Sequence, residues 1–401
     1  MKSFRRLVCI IGALALLATM TACHKKDEVA FKYGDVTFTS AYYMCALMEA
    51  DSEGRTKVDE QLEESESSEE STTEDSSAEE TTEDSAEETT EDSTEESTEE
   101  TTSSETDYFA QKIDDKDYST WVKDEAIEIL KERAYYISKC KEAELELDES
   151  TASYIEQYAS YYWSSYGYST YYEPNGVGEA TYTQYMKDSY YEELYFEHLY
   201  VDDDAEQKVS DEDIKNTAGE NYVLANTLSG SLTDSDGNEL DESSAAALKS
   251  TLESYVTALN DGSKTFEDVY HEYNGTDASE DSTSTTNDDD ETITAVNQHA
   301  TVMGDEESNY SDDNYETVKA LKVGEYKLVT SDSEYTIVGR VELLEDQYYL
   351  DQIETSVIHD IKDEEFDIGV QTALKDLDYE VVAYAVNRFK VKKIEYPSYE
   401  S

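Results

Sequence analysis

The sequence predicts an α+β protein, a mainly helical and discontinuous domain interrupted by an α/β segment. Apolar residues recur every three or four positions from Ser119 to Cys140, from Thr181 to Tyr200 and from Gln347 to Asp376, the spacing that lines one face of a helix. Between the last two runs, Val209 to Glu345 alternates strand-like stretches with short helices and polar turns. These patterns divide the 401 residues into a leader (1–22), a helical domain (23–58, 108–208 and 346–396), an acidic insertion (59–107) and an α/β domain (209–345).

The chain starts with Lys2, Arg5 and Arg6, followed by an apolar core from Leu7 to Ala18. That core is too short to span a membrane comfortably as a mature helix. Small residues then reach Met20-Thr-Ala-Cys23, which looks like a bacterial lipoprotein signal with Cys23 carrying the lipid. Such a chain sits on the outer face of the cytoplasmic membrane. An uncleaved anchor would leave it on the same side. Of the four cysteines only Cys45 and Cys140 then remain. An exported location permits their pairing, but both lie in apolar helical runs, where cysteine behaves as a small buried hydrophobe.

After the tether, Val29 to Phe38 reads as a strand pair around Gly34-Asp35, and Thr39 or Ser40 caps a helix through Tyr42, Met44, Leu47 and Met48. Residues 59–107 differ in kind: 23 of 49 are Asp or Glu and 22 are Ser or Thr, in a repeat TTEDSSAEE, TTEDSAEE, TTEDSTEE. With only Leu62, Ala78 and Ala86 to bury, this stretch is expected to be disordered. It reads as a neutrally expanded repeat ahead of a solvating bristle or a collector of cations. Ser119 then caps the helix through Val122, Ala126, Ile129, Leu130, Ala134, Ile137 and Cys140, and Asp148 caps the next. Fourteen tyrosines fall between Tyr154 and Tyr200, including Tyr161-Tyr162-Trp163. Tyrosine offers large contact area at low entropy cost, so this stretch is either a binding surface or helix packing.

In the α/β segment, Tyr222 to Leu228 is a strand. Ser243 or Ser244 caps a helix to Asn260 bearing Leu248, Leu252, Tyr255, Val256 and Leu259, and Gly262 ends it. A short helix follows from Thr265 to Tyr273, and strands at Tyr326–Thr330 and Tyr335–Leu343 close the segment. Beyond the last long helix, Ala385 to Ile394 reads as a final strand.

Net charge is −67, from 97 acidic and 30 basic residues. Nucleic acid is excluded as a partner, because binding it means neutralising phosphates. Five scattered histidines and no C-x-x-C leave no metal site. Asp234-Ser-Asp-Gly-Asn238 has its glycine in the wrong place for a calcium loop and reads as a turn. No cofactor motif is visible.

The order of pieces "YVLANTL", the Leu248–Gly262 helix, "TFEDVYHEY" and "LKVGEYKLVTSDSEYTIVGRVE" resembles the parvulin-type peptidyl-prolyl isomerase domain. "VAFKYGDVTFTSAYYM" and "EAELELDEST" resemble the helical chaperone domain of SurA- and PrsA-type folding factors. The resemblance implies a fold in which a parvulin-like α/β domain is inserted into a chaperone-like one. It also implies partners that are unfolded or newly exported polypeptides. Active members of the family carry a histidine in the first strand and another in the last. Here those positions hold Asn226 and Thr336, and Tyr315 is the aromatic nearest to the missing pocket phenylalanine. The family's glycine-rich segment is replaced by the acidic Asn287–Glu291 and then Val296 to Gly304. The expectation is a membrane-anchored folding factor that holds clients, with Tyr161, Tyr162, Trp163 and Tyr315 as substrate-binding residues and little or no isomerase turnover. The alternatives are an isomerase with a rearranged site on Asn226, Tyr315 and Thr336, and a surface binding or spacer lipoprotein without clients.

Overall fold

The computed structural model describes residues 28–70, 106–202, 204–235, 237–276, 284–286, 292–306 and 308–397. The leader with Cys23, most of the acidic repeat and the run Asn287–Glu291 lie outside the described residues. The fold is α+β, mainly helical with small antiparallel sheets. It divides into two compact units, one of residues up to Tyr195 and from Val370 onward, the other Phe196–Gly369. No described helix is long and apolar enough to cross a membrane.

In the first unit, β1 (Val29–Tyr33) and β2 (Val36–Thr39) form the expected hairpin, with Gly34 left-handed at the turn. Thr39 Oγ1 accepts the Tyr42 amide at 3.2 Å and so opens α1 (Ser40–Glu70). That helix overturns part of the expectation for the acidic stretch, since residues 59–70 are helical. Val58 is buried and Leu62 packs on the core, while Tyr108 donates a 3.1 Å bond to Asp59. The first turns of the acidic stretch are therefore tied down.

Gly54 lets α1 lie against α2 (Tyr118–Glu142), for a Cβ there would meet Tyr118, Trp121 and Val122 at 3.1–3.3 Å. Asp117, not Ser119, stands at the N-cap of α2, and its side chain makes no capping bond. The first turn is held instead by Tyr118, whose hydroxyl donates to the Asp51 carbonyl (2.8 Å) and carboxylate (3.0 Å). Asp148 caps α3 (Glu149–Ser164) as expected, accepting from the Ser150 and Thr151 amides. After α4 (Ser169–Tyr172), the helix α5 (Glu179–Tyr200) leads into the second unit.

The final strand expected at Ala385–Ile394 is absent. The edge position beside β1 is taken by Tyr379–Val381, and the chain then turns into a short helix, Ala383–Asn387, and one 3-10 turn, Val391–Lys393. Val386 and Val391 are buried without strand alternation, so their spacing serves core filling. Cys45 and Cys140 are buried free thiols, as the hydrophobe reading expects. Burial pushes the Cys140 thiol up to about 12 and the Cys45 thiol higher still, which leaves both unreactive.

Two short hairpins form sheets of their own, β3 (Lys112–Ile113) with β4 (Lys116–Asp117) in the first unit and β6 (Ser284–Thr286) with β7 (Thr292–Thr294) in the second. In the second unit, α6 (Asp211–Asn221) precedes β5 (Val223–Ser231), which lies inside a four-stranded antiparallel sheet. The order is β8 (Ala300–Met303), β5, β10 (Glu334–Val341), β9 (Tyr326–Thr330). One face is covered by α7 (Glu242–Asn260) and α8 (Phe266–Asn274), which bury Leu252, Tyr255, Leu259, Phe266 and Val269 against Leu228 and Ile337. The other carries α9 (Tyr315–Ala320), packing Tyr315 and Val318 on Val223, Ala225 and Val338. Asp241 caps α7, accepting the Ser244 amide at 2.8 Å, in place of the serines expected. The α/β segment expected at 209–345 lies within this unit, which also takes in most of α10 (Gln347–Lys375).

Candidate functional site

The positions carried over from the isomerase resemblance fall in the sheet, and its register decides their geometry. Asn226 stands opposite Gly339, and Thr336 stands opposite Ser229. Successive residues of a strand point to opposite faces, so Asn226 shares the α7/α8 face with Leu228 and Ile337. Thr336 lies on the α9 face with Val338. Two groups that act on one bound ring must share a face, and these two do not.

Neither face is open at these residues. Asn226 is buried, and its Nδ2 donates to the Tyr326 hydroxyl at 3.1 Å. The Tyr326 ring lies across Gly339, leaving no room for a Cβ, and stacks near-parallel with Phe266 at 6.1 Å between centroids. Burial raises the pKa of its phenol. Tyr326 thus fills the space beside Asn226 that a substrate ring would need. Thr336 shares a 2.8 Å hydrogen bond with Ser229 and donates to Glu334 at 3.0 Å. Tyr315 is also buried, contrary to a substrate-binding role. Its hydroxyl donates to the Asn221 carbonyl at 2.8 Å, and Lys319 donates to the Tyr315 hydroxyl oxygen at 2.6 Å.

The helical unit offers a more accessible surface. Successive turns of α3 present Tyr154, Tyr158 and Tyr162, with ring centroids 5.3 and 4.8 Å apart. The track continues from Tyr162 to Tyr168 at 5.2 Å and from Tyr168 to Tyr172 at 6.2 Å. Tyr161 (52% exposed) and Tyr166 flank it. The hydrogen bond to Tyr158, with some desolvation, pushes the Tyr162 hydroxyl up to about 12. Trp163 departs from the expectation. At 7% exposure it points inward onto Tyr172 and Tyr182 and anchors the helix without facing solvent.

The track ends at a cleft of about 640 Å3 between one stripe of α1 (Met48, Ser52, Thr56) and the rings of Tyr168, Tyr172 and Tyr396. Glu49 and Glu53 line it as well. Arg133 fixes the first of these, donating to Glu49 at 3.0 Å while its guanidinium lies 3.6 Å from the centre of the Tyr185 ring. Tyr396 is pinned by its hydroxyl on Asp51 (2.6 Å). The tail is further held by a reciprocal pair, Asn175 Nδ2 to the Glu395 carbonyl (2.8 Å) and the Glu395 amide to Asn175 Oδ1 (2.9 Å). Sequence reasoning found the tyrosines but missed Met48, Ser52, Thr56 and Tyr396. The four-residue spacing of the first three was the available signal. No spacing announces the tail.

Chemically, the cleft can enclose apolar and aromatic groups and attract cationic ones. No described cluster of His, Cys, Asp and Glu could hold a metal ion.

No protein-family profile and no curated protein matches the chain. Among solved structures it is similar to the foldase protein PrsA of Lactococcus lactis, at 16% identity and TM-score 0.33 over 66% of this chain and 86% of that one. PrsA of Streptococcus pneumoniae matches at 15% and 0.33, over 65% and 87%. PrsA of Bacillus subtilis matches at 14% and 0.29, over 68% and 92%. Superpositions this loose carry nothing about activity.

Proposed function

We propose that this protein is an extracytoplasmic folding factor that holds unfolded or newly exported polypeptides, anchored by a lipid on Cys23 to the outer face of a bacterial cytoplasmic membrane. The observation that carries the reading is the tyrosine track running from Tyr154 to the cleft beside α1. Rings with a polar tip accept many sequences, and the acidic field favours clients with basic segments. Isomerase catalysis is not part of the proposal, because Asn226 and Thr336 face opposite ways and Tyr315 is core. The leader motif supports the anchor.

The test pairs two assays on the chain from Cys23 onward. Aggregation of an unfolded exported protein should be suppressed, while cis–trans turnover of a proline peptide stays at background. Replacing Tyr154, Tyr158, Tyr161 and Tyr166 together by serine should weaken suppression several-fold with little change in Tm, since surface substitutions typically alter stability by about 0.5 kcal/mol or less. Suppression unchanged in that variant would sink the role given to the tyrosines. Turnover well above background would sink the non-catalytic reading.

A further inference from the structure

The strand β2 is an edge of its sheet, whose order is Tyr379–Val381, β1, β2. The two-residue turn at Gly34-Asp35 closes on a hydrogen-bonded pair, Tyr33 with Val36. Bonds to one neighbour recur at every second residue of a strand, so Phe38 also faces β1. The Ser40 amide keeps that phase, donating to the Glu28 carbonyl at 2.8 Å. The N–H and C=O of Thr37 and the N–H of Thr39 therefore point away from β1, where the described sheet has no further strand.

The opposite edge is guarded. Glu380 stands in its middle and pairs with Lys32 at 3.1 Å, the kind of charge that keeps other chains off a sheet edge. β2 is Val-Thr-Phe-Thr, without charge or proline, and all four residues favour strands. Beside it runs a groove of about 680 Å3, inside the range of about 300–1,000 Å3 for ligand clefts. Every residue from Asp35 to Thr39 lines the groove, faced by Ile137 and Lys141 of α2 and Thr181 and Tyr191 of α5. A strand's face presents alternate residues, so an unbroken succession means that the groove follows the edge. Thr37 is exposed there. Behind it the strand is held firmly, with Phe38 stacked on Tyr42 at 4.2 Å and the Tyr42 hydroxyl donating to buried Asp188 at 2.9 Å.

Charge selects the occupant. Tyr42 and Gln184 satisfy Asp188, so the exposed charges of the groove are Asp35 and Lys141, one of each sign. A groove so balanced complements a segment without net charge. It does not suit a second copy of the chain, which would bring a further charge of −67 against the first.

We infer that an extended, uncharged client segment adds to β2 as a further strand, pairing its main chain with Thr37 and Thr39 and laying alternate side chains along Ile137 and Tyr191. Strand addition draws affinity from the main chain, which every sequence shares, and three backbone groups make the grip reversible. That the segment belongs to a client rests on the folding-factor reading, but the site shares no residue with the tyrosine track.

The test follows the Thr37 and Thr39 amide signals of the chain from Cys23 onward by NMR during titration with a capped hexapeptide of alternating threonine and valine. Both signals should shift and saturate, and their exchange with solvent should slow at least tenfold. Methylating every peptide amide keeps the side chains but removes the donors, and it should weaken binding at least tenfold. So should Thr37→Pro, a change that edge strands tolerate. Unmoved amides, or equal binding of the methylated peptide, would each overturn the inference. Amides already protected in a dimer without peptide would give the edge to a second copy and overturn it as well. If Thr37→Pro fails to fold, the methylated peptide on the unmodified chain decides. Aggregation suppression that depends on the four tyrosines while these amides stay unmoved removes the edge and leaves the folding-factor reading standing. Amides that respond in a chain that suppresses no aggregation keep the edge as a peptide site and remove that reading.

Discussion

At Gly339 the absent side chain lets the Tyr326 ring lie across the strand, stacked over Phe266 and hydrogen-bonded by Asn226. An isolated glycine inside a strand pattern signals close approach of another group, so the sequence marked the position without naming what approaches. Gly339→Ala drives a methyl into that ring and should cost about 1–3 kcal/mol through overpacking, read as a lower midpoint in urea with the slope unchanged. A neutral result would show that Tyr326 swings aside freely, and the space beside Asn226 would then be open to ligand. Asn226 and Thr336 teach a related lesson. Their places in two strands were legible, but their faces depend on register, and a slip of one residue exchanges the faces. No single sequence states the pairing of Asn226 with Gly339.

Among the elements, those with strong periodicity were the most legible. The Val29–Thr39 hairpin, the helices ending at Glu142, Asn260 and Lys375, and the closing pair Tyr326–Thr330 and Glu334–Val341 appear close to where spacing puts them. Caps were less legible because several acceptors stand within two residues of each other, and geometry chose Asp241 over Ser243. The end of α1 was the largest surprise. Composition favours disorder after Val58, yet Leu62 and Asp59 still have partners, and glutamate and glutamine are good helix formers. The consequence is a deletion pair. Removing residues 59–107 should lower Tm by several degrees, because it takes Leu62, the Asp59–Tyr108 bond and the last turns of α1. Removing 71–105 and bridging the ends with a flexible glycine–serine linker should leave Tm within about a degree, since Leu62, the Asp59–Tyr108 bond and every described turn of α1 are kept. Thermal unfolding of both variants checks this, and equal losses would mean that the repeat itself contributes to the fold. Only the shorter deletion is then a fair test of the spacer alternative.

For the whole molecule, charge is the term least compensated by structure. Acidic residues outnumber basic ones by 97 to 30, and many described ion pairs, such as Lys32–Glu380 and Lys116–Asp124, join exposed groups. Exposed pairs contribute about 0–1 kcal/mol each, whereas uniform negative charge opposes the compact state. Added salt shortens the Debye length from about 30 Å at 0.01 M to about 8 Å at 0.15 M, which removes most of the long-range repulsion while weakening only modest attractions. Tm should therefore rise by several degrees between 0.01 and 0.15 M sodium chloride and flatten beyond. Sodium and potassium chloride should act alike, because screening depends on ionic strength and not on a bound ion. A fall in Tm with salt would mean that the ion pairs outweigh the repulsion. If the protein holds clients as proposed, the same field draws in their basic segments, and capture should weaken over the salt range that stabilises the fold. On the proposed function, the protein would grip most tightly where its own fold is most strained by charge. Parallel measurement of Tm and of client affinity along one salt series tests that opposition, and affinity that rises with salt would place the burden of capture on apolar contact alone.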